Sequence, residues 1–339
     1  MGAHMDVLPA GLTDGLAGRI AGREPHAIDR ELSAVLQDNY NWTDERRGRD
    51  AAASQPPEGW ARMDDASLRQ AGINPALLQD TRSGFGANFY TGPQGHVVLA
   101  FTGTDEGRDW WHNLGQGLGL RDAQYDQAIE LAGEARRAFG TDLVLTGHSL
   151  GGGLAAAAAM VHEVPAVTFN AAGVHDRTLE RLGFDAGVLK REAAQGLIRS
   201  YAVESELLTH LQEDSFPLKY VMPDAPGHRI ELPDPDPLSF GQRLIPGKML
   251  MHRVDLHYID AVMEAQDLAG LDVRRFAAVD ARGDGSLQSA TARLDGLLAG
   301  DVDLSARLAW DGSVTALKQE GPLHTVDQRQ ELEVPAMGR

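Results

Sequence analysis

Residues 143–154 read Leu-Val-Leu-Thr-Gly-His-Ser-Leu-Gly-Gly-Gly-Leu, and five alanines follow at once. A short apolar run therefore meets Gly-His-Ser-Leu-Gly, and strong helix formers come next. This order predicts a strand, a sharp turn and a helix, the setting in which a G-x-S-x-G motif exposes a nucleophilic serine. Gly147 and Gly151 leave room beside a strained residue, and the helix behind Ser149 directs backbone N–H groups toward developing negative charge. We therefore predict that Ser149 is a nucleophile.

The composition limits the classes of partner. The 339 residues suffice for one large domain, or for a domain with an appendage. The formal net charge of −18 disfavours nucleic acid and anionic membrane surfaces as electrostatic partners. If the substrate is a lipid, its capture must therefore rest on local apolar surface. The chain has no cysteine, which excludes thiol chemistry, and no apolar run long enough to predict a membrane span.

The beginning of the chain predicts little structure. Residues 1–5 resemble a cloning remnant, and no apolar signal-peptide segment follows them. Glycine, alanine and proline are frequent over residues 6–25. We therefore expect 1–28 to be a tag remnant followed by a loose segment, and we expect the protein to lack a signal peptide.

The rest of the chain alternates strands and helices. Strands are predicted at 84–91, 96–101, 143–146, 165–170 and 197–203, and helices at 29–40, 125–139, 176–195 and 254–268, with one more directly after Ser149. This alternation predicts an α/β fold with a doubly wound, mainly parallel sheet over residues 29–269. The prolines of 216–246 predict an irregular excursion, and the acidic remainder, 270–339, is expected to be a C-terminal appendage of unknown role.

Several motifs in register resemble one family of hydrolases. They are Ser-Gly-Phe-Gly-Ala-Asn-Phe-Tyr at 83–90, Val-Val-Leu-Ala-Phe-Thr-Gly-Thr at 97–104, Asp-Trp-Trp-His-Asn-Leu at 109–114 and Gly-His-Ser-Leu-Gly-Gly at 147–152. Over residues 29–268 the chain resembles the class 3 (fungal-type) lipases of the α/β-hydrolase fold. Within that group it resembles lipase-like proteins of Gram-negative bacteria, several of which are similar to secreted antibacterial effectors. One departure is Thr102, which stands where the family usually has arginine. That arginine is not part of the usual triad.

The partners of the serine follow from the triad order of this fold, which is serine, acid, histidine. The acid should follow the strand at 197–203. Glu206 is preferred, because the family commonly has Gly-Asp where this chain has Ser-Glu, and Glu204 is the alternative. Among the later histidines His257 resembles the family's histidine at the start of the last helix, with His252 as the alternative.

Further site residues are implied by position and resemblance. The oxyanion donors are expected to be the backbone N–H groups of Leu150 and, by the resemblance, Thr104. Trp110 and Trp111 either anchor the following loop in the core or belong to an apolar lid that contacts acyl chains. The lid is preferred, because their position matches the lid region of the family. No metal site and no cofactor are predicted.

These features predict a serine carboxylester hydrolase that acts on lipid esters through an acyl-enzyme. The alternatives are a small-ester esterase or thioesterase, and an inactive hydrolase fold that serves as a binding module. The expected partners are a lipid or other ester and, transiently, a membrane surface, but no nucleic acid. The resemblance also implies export from the bacterial cytoplasm by a contact-dependent secretion system and a neutralising immunity protein.

Overall fold

The computed structural model describes residues 15–49, 52–103, 118–214 and 223–271. Their eight strands are β1 (Ala61–Arg62), β2 (Gln79–Asp80), β3 (Phe85–Thr91), β4 (Val97–Phe101), β5 (Leu143–His148), β6 (Ala166–Phe169), β7 (Ile198–Val203) and β8 (His228–Leu232). Their helices are α1 (Gly15–Ile20), α2 (Ile28–Arg46), α3 (Asp65–Gln70), α4 (Leu118–Phe139), α5 (Leu150–His162), α6 (Asp176–Glu180), α7 (Ala186–Glu192), α8 (Leu207–Thr209), α9 (Phe240–Arg243), α10 (Lys248–Asp255) and α11 (Ile259–Leu268). No helix among these residues is long and apolar enough to cross a membrane.

The strands form one mixed sheet in the order β1-β3-β4-β5-β6-β7-β8, with β2 beside β3. β3 and β4, at two of the predicted strand positions, pair antiparallel as a hairpin, and each neighbouring pair from β4 to β8 is parallel. The carboxyl ends of the parallel strands consequently lie along one edge, where open α/β sheets place their sites. This arrangement confirms the α/β-hydrolase-like fold.

Helices cover both faces of the sheet, so side chains along a strand alternate between two cores. In β4, Val97, Leu99 and Phe101 pack toward α4 and α5, whereas Val98 and Ala100 pack toward α2 and α11. These strands are buried on both sides, which explains why their sequences read as continuous apolar runs.

The loose segment predicted before residue 29 is wrong for its described part. Residues 15–20 form α1, in which Leu16 and Ile20 are buried in the core under α2. The cause is a long-range contact. Arg199 of β7 bonds to the Ile20 carbonyl and forms a buried ion pair with Asp29, whose Oδ1 lies 2.6 Å from Nη2.

Two predictions in the last third differ from the structure. The irregular excursion contains β8, which pairs with β7. The helix predicted over 254–268 is two helices, α10 and α11, separated at residues 256–258. The side-chain amide of Asn170 donates to the carbonyls of Leu256 and His257, each at 3.1 Å, so those carbonyls are held outside a helix. The predicted appendage from 270 lies outside the described residues, apart from 270 and 271, and stays a prediction.

Candidate active site

Ser149 lies in the turn between β5 and α5 with a strained backbone, φ 57° and ψ −127°. Three backbone hydrogen bonds hold this turn. The N–H of Ser149 donates to the carbonyl of Phe169 at 3.1 Å, and its carbonyl accepts from Ala172 at 2.8 Å and from Gly153 at 3.2 Å. A non-glycine residue in such a conformation costs of order 1–3 kcal/mol, and it persists only where its surroundings determine it.

Gly147 and Gly151 allow the close approach of β5, α5 and β4. A Cβ on Gly147 would lie 2.1 Å from the carbonyl oxygen of Gly151. A Cβ on Gly151 would lie 2.4 Å from the carbonyl oxygen of Phe101. Both contacts are with backbone, which cannot move aside as a flexible side chain can. The two glycines therefore leave the room that the sequence predicted around Ser149.

The structure brings Ser149, His257 and Glu206 together. The imidazole Nε2 of His257 lies 2.9 Å from the hydroxyl oxygen of Ser149, and its Nδ1 lies 2.7 Å from Oε2 of Glu206. Glu206 and His257 are buried. An ionised carboxylate only accepts, so Nδ1–H donates to Glu206, and Nε2 is left to accept the serine proton. This is the geometry of a nucleophile, a general base and the group that orients the base.

Glu206 is stabilised by backbone donors at the start of α8. Its carboxylate accepts from the N–H of Leu208 at 2.8 Å and from that of Thr209. These bonds supply hydrogen-bond donors to a buried carboxylate that has little contact with water. The two backbone bonds also fix the carboxylate beneath the imidazole.

The alternative residues lie elsewhere. Glu204 is exposed at the end of β7. Ser205 has a φ of 67°, and this sharp turn directs the next residue, Glu206, inward. His252 lies in α10, where its Nε2 is 2.7 Å from Oδ2 of Asp234. Neither alternative is hydrogen-bonded to Ser149, whose hydroxyl pairs with His257.

A second histidine, His148, is hydrogen-bonded to the backbone of His257. His148 is buried, its Nε2–H donates to the carbonyl of His257 at 2.6 Å, and its Nδ1 accepts from the hydroxyl of Tyr40 at 2.9 Å. Tyr40 in turn accepts from the N–H of Gly103 at 3.0 Å. Burial, with a smaller contribution from the neighbouring His257, lowers the pKa of His148 to about 3. His148 is therefore neutral at physiological pH, which fits one donated and one accepted bond.

This buried histidine predicts a specific acid sensitivity. Its folded pKa of about 3 lies below its ordinary value of 6.5, so the unfolded chain takes up a proton first. Its contribution to the free energy of unfolding is therefore complete above pH 6.5 and decreases as the pH falls toward 3, by at most about 1.4 kcal/mol per pH unit. Between pH 6 and 4, the free energy of unfolding, measured by denaturant titration, should decrease less steeply with falling pH in His148→Gln than in the parent. The exposed His175→Gln is the control, and parallel slopes for the parent and His148→Gln would contradict the assignment.

Sequence reasoning missed Asn170 and Tyr40. Besides its two bonds to the 256–257 carbonyls, Asn170 accepts from the N–H of Val203 at 2.9 Å and so joins the end of β7 to the His257 loop. Its position at the carboxyl end of a parallel strand next to β5 was the available signal. Tyr40 lies in α2, far from the motif in sequence, and carried no local signal.

The predicted oxyanion and lid residues are only partly described. Leu150 is the first residue of α5, directly after the serine. Gly103 brings the end of β4 to the serine, because a Cβ there would lie 3.3 Å from the Cβ of Ser149. Thr104, Trp110 and Trp111 lie outside the described residues, so their roles stay predictions. The described residues contain no cluster of three or more His, Asp or Glu side chains that could hold a metal ion.

Comparisons with known proteins agree on one kind of enzyme. A phospholipase-like family model, described as a Tle-like phospholipase domain, matches residues 34–230. The chain is similar to the extracellular phospholipase A1 of Serratia liquefaciens, with 41% identity over 248 residues, 73% of each chain. The matched family region contains Ser149 and Glu206.

Proposed function

The chain belongs to the phospholipase-like family with a Tle-like phospholipase domain, and from this premise we propose that Ser149, His257 and Glu206 are its catalytic triad. The protein is a lipid ester hydrolase of the phospholipase or lipase kind. The observation that carries the assignment is the chain of two hydrogen bonds from Ser149 through His257 to Glu206. A narrower proposal is that the protein belongs to the class 3 lipases in particular. It rests on the motifs at 83–90 and 97–104.

The proposed reaction has two acyl-transfer steps. The Ser149 hydroxyl oxygen attacks the ester carbonyl while Nε2 of His257 takes its proton. The tetrahedral oxyanion accepts from the N–H groups of Leu150 and Thr104, and Glu206 stabilises the imidazolium. Collapse breaks the ester bond, and His257 returns the proton to the departing lysophospholipid oxygen. Water, deprotonated by His257, then attacks the carbonyl of the acyl-enzyme. The bond between the acyl carbon and the Ser149 oxygen breaks, His257 returns the proton to that oxygen, and the fatty acid leaves.

We propose that the ester cut is the one at the sn-1 position, as the name of the Serratia relative suggests. A phosphatidylglycerol with different acyl chains at sn-1 and sn-2 should release the sn-1 acid and leave a 2-acyl lysophospholipid, identified by mass spectrometry. Release of the sn-2 acid would contradict the proposed position. Hydrolysis of p-nitrophenyl butyrate with no release from phospholipid would favour a small-ester esterase.

Delivery outside the cell is a second proposal. It is supported by the extracellular relative and by the resemblance to antibacterial effectors, and it includes a neutralising partner protein encoded nearby. Periplasm-directed expression of the active protein should be toxic to a bacterium, and Ser149→Ala should not be. Equal growth of both strains would contradict this role.

A further inference from the structure

The described residues concentrate their exposed apolar side chains in one short segment. Eight large hydrophobic side chains are exposed, and five of them lie within residues 240–251, which we call the 240–251 patch. Its five members are Phe240 (80% exposed), Leu244 (69%), Ile245 (54%), Leu250 (45%) and Met251 (45%). Single exposed apolar residues are common, whereas a contiguous group marks a surface that meets another apolar phase.

The 240–251 patch is an ordered structure. Ser239 and Gln242 form a reciprocal capping box at the start of α9, and Arg243 Nε donates to the carbonyl of Leu238 at 3.0 Å. α10 is anchored by the contact between His252 and Asp234. The exposure of the five side chains therefore belongs to the folded state of α9 and α10.

The local charge of this segment is opposite to that of the whole chain. Residues 240–251 contain Arg243 and Lys248 and no acidic residue, although Asp236 and Asp255 lie close by in sequence and the protein carries a formal charge of −18. Arg243 and Lys248 are exposed, and neither forms an ion pair within the described parts of the chain. Exposed apolar side chains interspersed with lysine and arginine favour a bilayer that contains anionic phospholipid.

We propose that the 240–251 patch is the surface by which this enzyme binds a phospholipid bilayer with anionic headgroups. The proposal rests on the proposed function, since the same bilayer supplies the substrate. α10 connects the patch to the site in two ways. The helix ends two residues before His257, and its Val254 packs against Leu207 and Leu208, which directly follow Glu206. A bilayer bound at the patch is therefore held beside the segments that carry the general base and the acid.

The test measures vesicle binding separately from hydrolysis. Binding to vesicles of phosphatidylcholine with one quarter phosphatidylglycerol is measured by co-sedimentation in the Ser149→Ala background, so that the lipid is not consumed. Phe240→Ser/Leu244→Ser should weaken the partition coefficient about tenfold or more, because both side chains lose their transfer into the acyl layer. The control Leu182→Ser/Leu268→Ser removes two other exposed leucines and should bind like the parent.

The two basic residues Arg243 and Lys248 provide an independent test of the proposal. Arg243→Gln/Lys248→Gln should weaken binding to the anionic vesicles about thirtyfold and leave binding to pure phosphatidylcholine nearly unchanged. Arg177→Gln/Arg191→Gln makes the same charge change elsewhere on exposed residues and should have little effect.

In the active protein, the apolar variant Phe240→Ser/Leu244→Ser and the charge variant Arg243→Gln/Lys248→Gln should keep the parent's rate on p-nitrophenyl butyrate, a soluble ester, and lose rate on vesicles.

Vesicle binding by both of these variants equal to the parent's would overturn the proposal. So would conversion of a dimer to a monomer in the apolar variant with vesicle binding unchanged, since the patch would then bind a second copy. Failure of the parent to cleave any phospholipid while its vesicle binding depends on the patch would overturn the proposed function and leave the docking surface standing.

Discussion

Replacing Ser149 by alanine is expected to lower kcat/KM for phospholipid hydrolysis by about 10⁵-fold or more, to near the detection limit. Removal of the hydroxyl leaves His257 with no nucleophile to deprotonate and prevents formation of the acyl-enzyme. Initial release of fatty acid from phosphatidylglycerol vesicles measures the effect. The Cβ is kept, so the loss should occur without a change in the thermal unfolding midpoint of more than a few degrees.

The strained backbone of Ser149 gives this prediction a second readout. At φ 57° and ψ −127°, glycine avoids the steric cost that serine and alanine bear. Ser149→Gly should therefore be as inactive as Ser149→Ala. Its free energy of unfolding should be about 1 kcal/mol higher than those of the parent and of Ser149→Ala. If either variant kept more than a hundredth of the parent's activity, Ser149 would not be the nucleophile.

Replacing His257 by glutamine is expected to cost about as much as replacing the serine, because the members of a triad act as a unit. Glutamine can fill part of the volume and donate a hydrogen bond, but it cannot accept and return a proton at neutral pH. The matched control is His252→Gln, which changes the histidine paired with Asp234 and should keep kcat within a few-fold of the parent.

Both histidine variants should be compared at a temperature where each is folded, as judged by circular dichroism. His257 is buried against Glu206, whereas His252 holds α10, so both can lose some stability. A loss of activity confined to His252→Gln would reverse the assignment of the base.

The sequence predicted the central strands and the serine turn because those signals are local. Strands β4 to β7 are short apolar runs bounded by turn residues, and the glycines of the turn are visible beside Ser149. The sequence offered no local signal for the choice between Glu204 and Glu206. The positive φ of Ser205 turns the backbone so that Glu206, and not Glu204, points inward.

The positions of His257 and of the residues that support it depend still more on contacts between residues far apart in sequence. Residues 254–268 have a continuous helical pattern without glycine or proline. The break that places His257 beside Ser149 is held by Asn170, which directly follows β6. Tyr40 reaches His148 across more than a hundred residues. The burial of α1 likewise depends on Arg199, so composition alone suggested a loose segment.

The most direct test of the central claim is covalent labelling of the active serine. The parent is incubated with a fluorophosphonate, which reacts with a serine activated by a neighbouring base, and the digested protein is mapped by mass spectrometry. We expect one adduct per chain, on Ser149, and labelling that becomes much slower in Glu206→Gln but not in Glu204→Gln. An adduct on another serine, or no adduct in a protein that still cleaves phospholipid, would contradict the proposed Ser149–His257–Glu206 triad.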